Sequence, residues 1–86
     1  MNEIAKILKR FGPKYELNFT YDYFSSIPSL RMELRYYDQR LNEVIKIEHH
    51  IPLDEVHKYS EYGPRIIEDM QRKIQEQIHK LWGEFV

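Results

Sequence analysis

Four histidines, four serines and fourteen carboxylates are the groups in this 86-residue chain that could carry chemistry. Neutral imidazole is a common metal ligand, but ligands must converge on one point. His49 and His50 are adjacent in an alternating stretch and so point to opposite faces, no His-Glu-x-x-His helix exists, and no Cys supplies sulfur. Ser25, Ser26, Ser29 and Ser60 sit in turn-like contexts, without the Gly-x-Ser-x-Gly elbow that activates a serine and without a phosphate-cradling glycine loop. Glu33 and Glu48 could pair for acid–base work, yet Arg31 and Lys46 between them read as solvated ion-pair partners on an exposed face. The expectation is a protein without catalytic residues, without a metal and without a cofactor.

Tyrosine is the richer signal. Seven Tyr, four Phe and one Trp exceed what a core of this size needs, and Tyr is enriched at protein interfaces. Tyr15, Phe19, Tyr21, Tyr23 and Tyr36 share one parity and are expected mainly in the core. Tyr37, Tyr59 and Tyr62 have no clear inward assignment, and with Arg31, Arg35 and Arg40 they form the surface expected to take a protein partner. Near the C-terminal end of the sequence, Trp82 and Phe85 either close the core or form a dimer contact.

The elements that position these residues follow from periodicity. Ile4, Ile7, Leu8 and Phe11 form the apolar stripe of a short helix, which Gly12-Pro13 stops. Tyr15, Leu17, Phe19, Tyr21 and Tyr23 alternate with Glu16, Asn18, Thr20 and Asp22, the period of a half-buried strand. After the turn residues 25–29, Leu30, Met32, Leu34 and Tyr36 make a second strand; after residues 38–42, Ile45, Ile47, His49 and Ile51 make a third, ending at Pro52. His49 is expected partly buried at the sheet end, bonded through one ring nitrogen. Residues 54–62 allow one or two helical turns with Val56 and Tyr59 inward, before Gly63-Pro64 breaks the chain. From Pro64 a long helix presents Ile67, Met70, Ile74, Ile78, Leu81 and Phe85 on one side, widened by Ile66 and Trp82. Its polar side offers Glu68 with Arg72, Asp69 with Lys73, and Glu76 with Lys80.

Charge suggests a strand register. Opposite charges facing across antiparallel strands contribute roughly 0.2–1 kcal/mol, and like charges oppose pairing. That rule sets Asp22 opposite Arg31, Arg31 opposite Glu48 and Glu33 opposite Lys46, with a tight turn centred on Gln39 and Arg40. The fold class expected is α+β: a two-layer domain over residues 1–86, with a three-stranded antiparallel meander sheet and helices packed on one face, in the order α-β-β-β-short α-long α. The other sheet face, Glu16 to His50, is expected to meet water or a partner.

Thirteen basic against fourteen acidic residues leave a net charge of −1, which argues against the strongly basic character of most nucleic-acid binders. The front end is the exception, with Lys6, Lys9, Arg10 and Lys14 set against Glu3 alone. No apolar run is long enough to span a membrane, the opening lacks the apolar core of a secretion signal, and the absence of Cys suits a reducing compartment. A cytoplasmic protein is expected, monomer or homodimer.

Two resemblances follow from element order. With Pro13-Lys14-Tyr15-Glu16-Leu17 leading into the first strand, the α-β-β-β-α order resembles the double-stranded-RNA-binding domain, which implies RNA contact through the basic first helix, here Lys6, Lys9, Arg10 and Lys14, together with Arg65. The loop at Ser25 to Ser29 has no Gly-Pro-x-His, and the last helix opens Pro64-Arg65-Ile66-Ile67-Glu68-Asp69 in place of a lysine run. The added short helix, the Met-Asn opening and the small size also look like small phage-encoded inhibitors, among them anti-CRISPR proteins. That resemblance implies a non-enzymatic module of a phage or mobile element that binds a host protein in the host cytoplasm and inhibits or adapts it. It is the function expected first, with nucleic-acid binding as the alternative.

Overall fold

The structure is a computed structural model that describes residues 3–24 and 26–84, and the side chains of Glu3, Tyr59, Ser60 and Glu84 are not among the described groups. Its order is α1 (Glu3–Phe11), β1 (Tyr15–Asp22), β2 (Ser29–Asp38), β3 (Glu43–Pro52), a 3-10 helix (Leu53–Lys58) and α2 (Tyr59–Glu84). The strands form one antiparallel sheet in the order β1-β2-β3, an α+β meander with helices on one face. Gly12 ends α1 at φ 105°, a left-handed conformation open to glycine, while its N–H donates to the Leu8 carbonyl.

The core lies between β2, β3 and the helices. Met32 and Leu34 of β2 and Ile67 and Ile74 of α2 are wholly buried, joined by Ile7, Ile45, Ile51, Met70 and Ile78. These are the apolar members of the strand alternation, even-numbered in β2 and odd-numbered in β3, together with the stripes of the first and last helices, so alternation and the 3.6 period located the core correctly. Ile66, Leu81, Trp82 and Val56 pack against its margin.

The register departs from the charge-based expectation. Asp22 faces Ser29, Arg31 faces Thr20 and His50, Glu33 faces Glu48, and Arg35 faces Lys46. Turn chemistry explains the shift. Asp38 is buried, and its Oδ1 accepts hydrogen bonds from the Arg40 N–H at 2.9 Å and the Leu41 N–H at 3.1 Å. Asn42 closes the loop at φ 51°, where Asn is among the favoured residues. A four-residue loop, Gln39 to Asn42, thus joins Asp38 to its partner Glu43 in place of the tight two-residue turn. Two hydrogen bonds to a buried carboxylate outweigh charge pairs of roughly 0.2–1 kcal/mol on a wet face. A displacement of two residues keeps every side chain on its face, which is why the core was still assigned correctly.

The last helix also begins earlier than expected. Gly63 and Pro64 do not break the chain; α2 runs through them from Tyr59, directly after the 3-10 helix. Pro64 lies within the first two turns, where its missing N–H costs one backbone bond, and Gly63 is buried against the neighbouring layer. Glu68 pairs with Arg10 of α1 at 3.0 Å, Asp69 takes Arg72 and Lys73, and Glu76 takes Arg72. Of the three helical pairs expected, Asp69 with Lys73 is present, and Glu68 and Glu76 find other cations.

Candidate protein-docking surface

Covering of the helix-side face stops short of the far half of β1. Here α2 lies over β3 and β2, while α1 reaches the start of β1. At that covered start, the Tyr15 ring packs on Phe11 at 5.3 Å and on Tyr36 at 4.6 Å, and its hydroxyl accepts from the Gln71 and Gln75 side-chain amides. The same strand then runs out from under the helices. Tyr21 is 58% exposed, Tyr23 64% and Phe24 fully, against zero for Met32 and Leu34 on the same face. Phe19 and Ile27 are exposed as well. The expectation that Phe19, Tyr21 and Tyr23 fill the core is corrected here: Phe19 and Tyr21 have inward parity, yet all three are exposed, because α2 packs on β3 and β2.

This aromatic ledge has a defined shape. The Tyr21 and Tyr23 rings stack with centroids 6.1 Å apart, 22° from parallel. Beyond them the Asp22 Oδ1 accepts from the Phe24 N–H at 3.0 Å, a turn that sets Phe24 outward. Contiguous exposed apolar surface of this kind marks an interaction site more often than scattered single residues do. Sequence periodicity missed it because parity reports the face and not the length of the covering layer; the available signal was five alternating large side chains in a strand flanked by a helix of only nine residues.

The residues singled out from the sequence fall into separate places. Arg31 and Arg35 stand on the outer sheet face, where Arg35 Nε lies 3.4 Å from Glu33. Tyr37, on that face at the other end, donates its hydroxyl to Asn42 Oδ1 at 2.8 Å. Arg40, at the tip of the β2–β3 hairpin, lies with its guanidinium 4.7 Å from the centre of the Trp82 ring. Tyr62 is exposed at the start of α2, beside a hollow of 260 Å³ over the edge of β3 that His49, Pro52, Lys58 and Ile66 also line. The five described residues thus stand on the outer sheet face, at the hairpin tip and at the start of α2, and the Tyr59 side chain is not described.

Among the basic residues, Lys6, Lys9 and Arg10 are exposed on α1, and Arg65 is exposed on α2. Arg10 is engaged by Glu68, and the Lys14 ammonium donates to Gln39 Oε1 at 3.4 Å. Trp82 packs against the core margin and meets the His79 ring edge-on at 6.2 Å, and Phe85 lies outside the described residues.

Another concavity holds polar groups. A hollow of 510 Å³ between the α1–β1 turn and α2 is lined by Lys14, Tyr15, Tyr36, Gln71 and Gln75, with the Tyr15 hydroxyl already taking both amides. Burial, then the nearby Asp38 and Tyr15, push the Tyr36 phenol above its ordinary pKa, against a smaller opposing pull from Arg40. His49 stands on the helix-facing side of β3, opposite Met32, with its side chain more exposed than the partly buried ring expected. Partial burial first, and then Lys73 and His50, hold its pKa below the ordinary value, with Asp69 opposing. Among the described residues no group of three His, Cys, Asp or Glu side chains converges as a metal site would require, and no helix is long and apolar enough to cross a membrane.

Comparison with known proteins finds no match, whether to family models, to curated proteins or to solved structures.

Proposed function

We propose that this chain is a non-enzymatic protein-binding module whose docking surface is the aromatic ledge of β1 and the following loop. The observation that carries the reading is the exposure of Tyr21, on the face that elsewhere forms the core, together with Tyr23 and Phe24 just beyond the end of β1. Tyrosine rings supply large contact area at small entropic cost, the property of binding hot spots. Small size and the resemblance to phage-encoded inhibitors support placing it among accessory proteins of a phage or mobile element that block or adapt a host protein in the cytoplasm. Nucleic-acid binding through Lys6, Lys9, Arg10, Lys14 and Arg65 has less support, because Arg10 and Lys14 already have partners within the chain.

The test is affinity capture from bacterial lysate, with and without nuclease, using the tagged protein and a Tyr23→Ser, Phe24→Ser variant. A stoichiometric protein that survives nuclease and is lost with the variant supports the reading. Material that disappears on nuclease treatment, and with Lys6→Glu and Lys9→Glu but not with the ledge variant, replaces it with nucleic-acid binding.

A further inference from the structure

The ledge lies along β1, which among the described residues pairs with β2 on one side and with no strand on the other. The Lys14 carbonyl accepts from the N–H of Tyr37, its direct partner in register. By the antiparallel alternation, Glu16, Asn18, Thr20 and Asp22 therefore turn their backbone groups to β2, and Leu17 and Tyr21 turn theirs away from it. The strand Tyr-Glu-Leu-Asn-Phe-Thr-Tyr-Asp contains no Lys, Pro or Gly, the residues that ordinarily blunt an edge. Its side chains set two conditions on anything added there. On the helix side a newcomer meets Phe19 and Tyr21; on the outer side it meets Glu16 and Asp22, with no cation on β1.

We propose, building on the protein-binding reading above, that the β1 edge takes an extended segment of a partner protein as a fourth strand, with aliphatic residues on the helix side alternating with basic residues on the outer side. Such strand addition draws affinity from main-chain hydrogen bonds and specificity from alternate side chains. The molecule already holds against β1 a strand with aliphatic residues on the helix side and arginines on the outer side. Strand β2 presents Leu30, Met32 and Leu34 to the helices and Arg31, Glu33 and Arg35 to the outer face, and the cation of the set directly opposite a β1 acid is Arg35, facing Glu16, while Glu33 faces the uncharged Asn18. A second copy of the chain fits the edge less well: two β1 strands side by side bring Glu16 and Asp22 of both copies to one seam without a cation, and like charges across strands oppose pairing.

The experiment titrates the isotope-labelled full chain with three blocked peptides, followed by amide chemical shifts. The first alternates Arg with Val and Leu over eight residues, the second carries Glu in place of Arg, and the third is the Arg peptide N-methylated at every second residue. Strand addition predicts that the Arg peptide shifts the amides of residues 16–22 and spares those of 44–50. It predicts binding at least about tenfold weaker for each of the other two, the loss of roughly 1.4 kcal/mol. Equal response to the Arg and N-methylated peptides, equal response to the Arg and Glu peptides, shifts confined to β3, or no shift at millimolar peptide overturns the proposal. So does a doubled mass in light scattering with β1 amides protected, which assigns the edge to a second copy. Capture that depends on Tyr23 and Phe24 while all three peptides fail leaves the protein-binding reading in place and removes only the strand addition.

Discussion

Strands β1 and β3 flank the same central strand, are eight and ten residues long, and differ in what lies on them. Over β3 the 3-10 helix and α2 close down, burying Ile45 and Ile51, and the strand carries Lys46 and ends at Pro52. Over the far half of β1 large aromatic side chains are exposed among the described residues. The sequence pattern is nearly the same in both, apolar alternating with polar, so the pattern alone does not distinguish interior from ledge. What separates them is the path of a 26-residue helix, which crosses β3 and β2 and leaves β1 to the much shorter α1. An apolar face that the fold leaves uncovered despite a helix of that length is where a partner has most to bury.

Four measurements break or sharpen this contrast. The largest effect belongs to the covered side: Ile74→Ala empties a wholly buried site and costs about 2–5 kcal/mol in urea denaturation, because the cavity adds to the lost transfer energy. A loss below about 1 kcal/mol would mean the helix is not seated on β3 and β2 as described. Next comes the loop that fixes the covered edge. Asp38→Ala strips the acceptor from two backbone N–H groups and lowers stability by about 1–3 kcal/mol, while Asp38→Asn, which keeps an acceptor oxygen, retains part of it.

His49 supplies the third. Its folded pKa lies below the unfolded value of 6.5, so the unfolded chain binds the proton more readily. Its contribution to stability is therefore full above the unfolded value and lost as pH falls through that value toward the folded one. The urea midpoint of the wild type drops on that acid side, and His49→Gln flattens the drop; an identical pH profile in the variant would place the ring in water, away from Lys73. The smallest effect is on the ledge. Tyr21→Ser and Tyr23→Ser leave stability within about 0.5 kcal/mol, as surface substitutions do. A cost approaching that of Ile74→Ala would erase the distinction between the two strands.

Much of this molecule was legible before the fold was known, and the parts that were not share a physical cause. Alternation and the helical stripe located Met32, Leu34, Ile45, Ile67 and Ile74 because burial acts on each residue directly. Register escaped because a shift of two residues preserves every face, leaving the decision to Asp38 and Asn42 in a loop whose length charge pairing does not report. The start of α2 escaped because Gly63-Pro64 is a strong stop signal in isolation, yet the helix carries Pro64 as its sixth residue at the cost of the bond its N–H would have made to the Ser60 carbonyl. The ledge escaped for a third reason: how far one layer extends over another is a property of the assembled fold. Among the expected contact residues, Arg40 and Trp82 turned out to face each other, a pairing between a hairpin tip and the end of a helix that no spacing in sequence records.

The observed register has a consequence for the outer sheet face. Across the three strands, Thr20, Arg31 and His50 form one rung, Asn18, Glu33 and Glu48 the next, and Glu16, Arg35 and Lys46 the third. Successive rungs are two residues apart, about 6.6 Å at strand rise. On β2 and β3 they alternate in sign like the rulings of a grating. Such a pattern cancels itself within a few ångströms of the surface, well inside the roughly 8 Å over which physiological salt screens charge. From a distance this face is therefore electrically blank. It neither steers nor repels an approaching molecule, and its ruling can be read only by a surface that comes into contact with matching spacing.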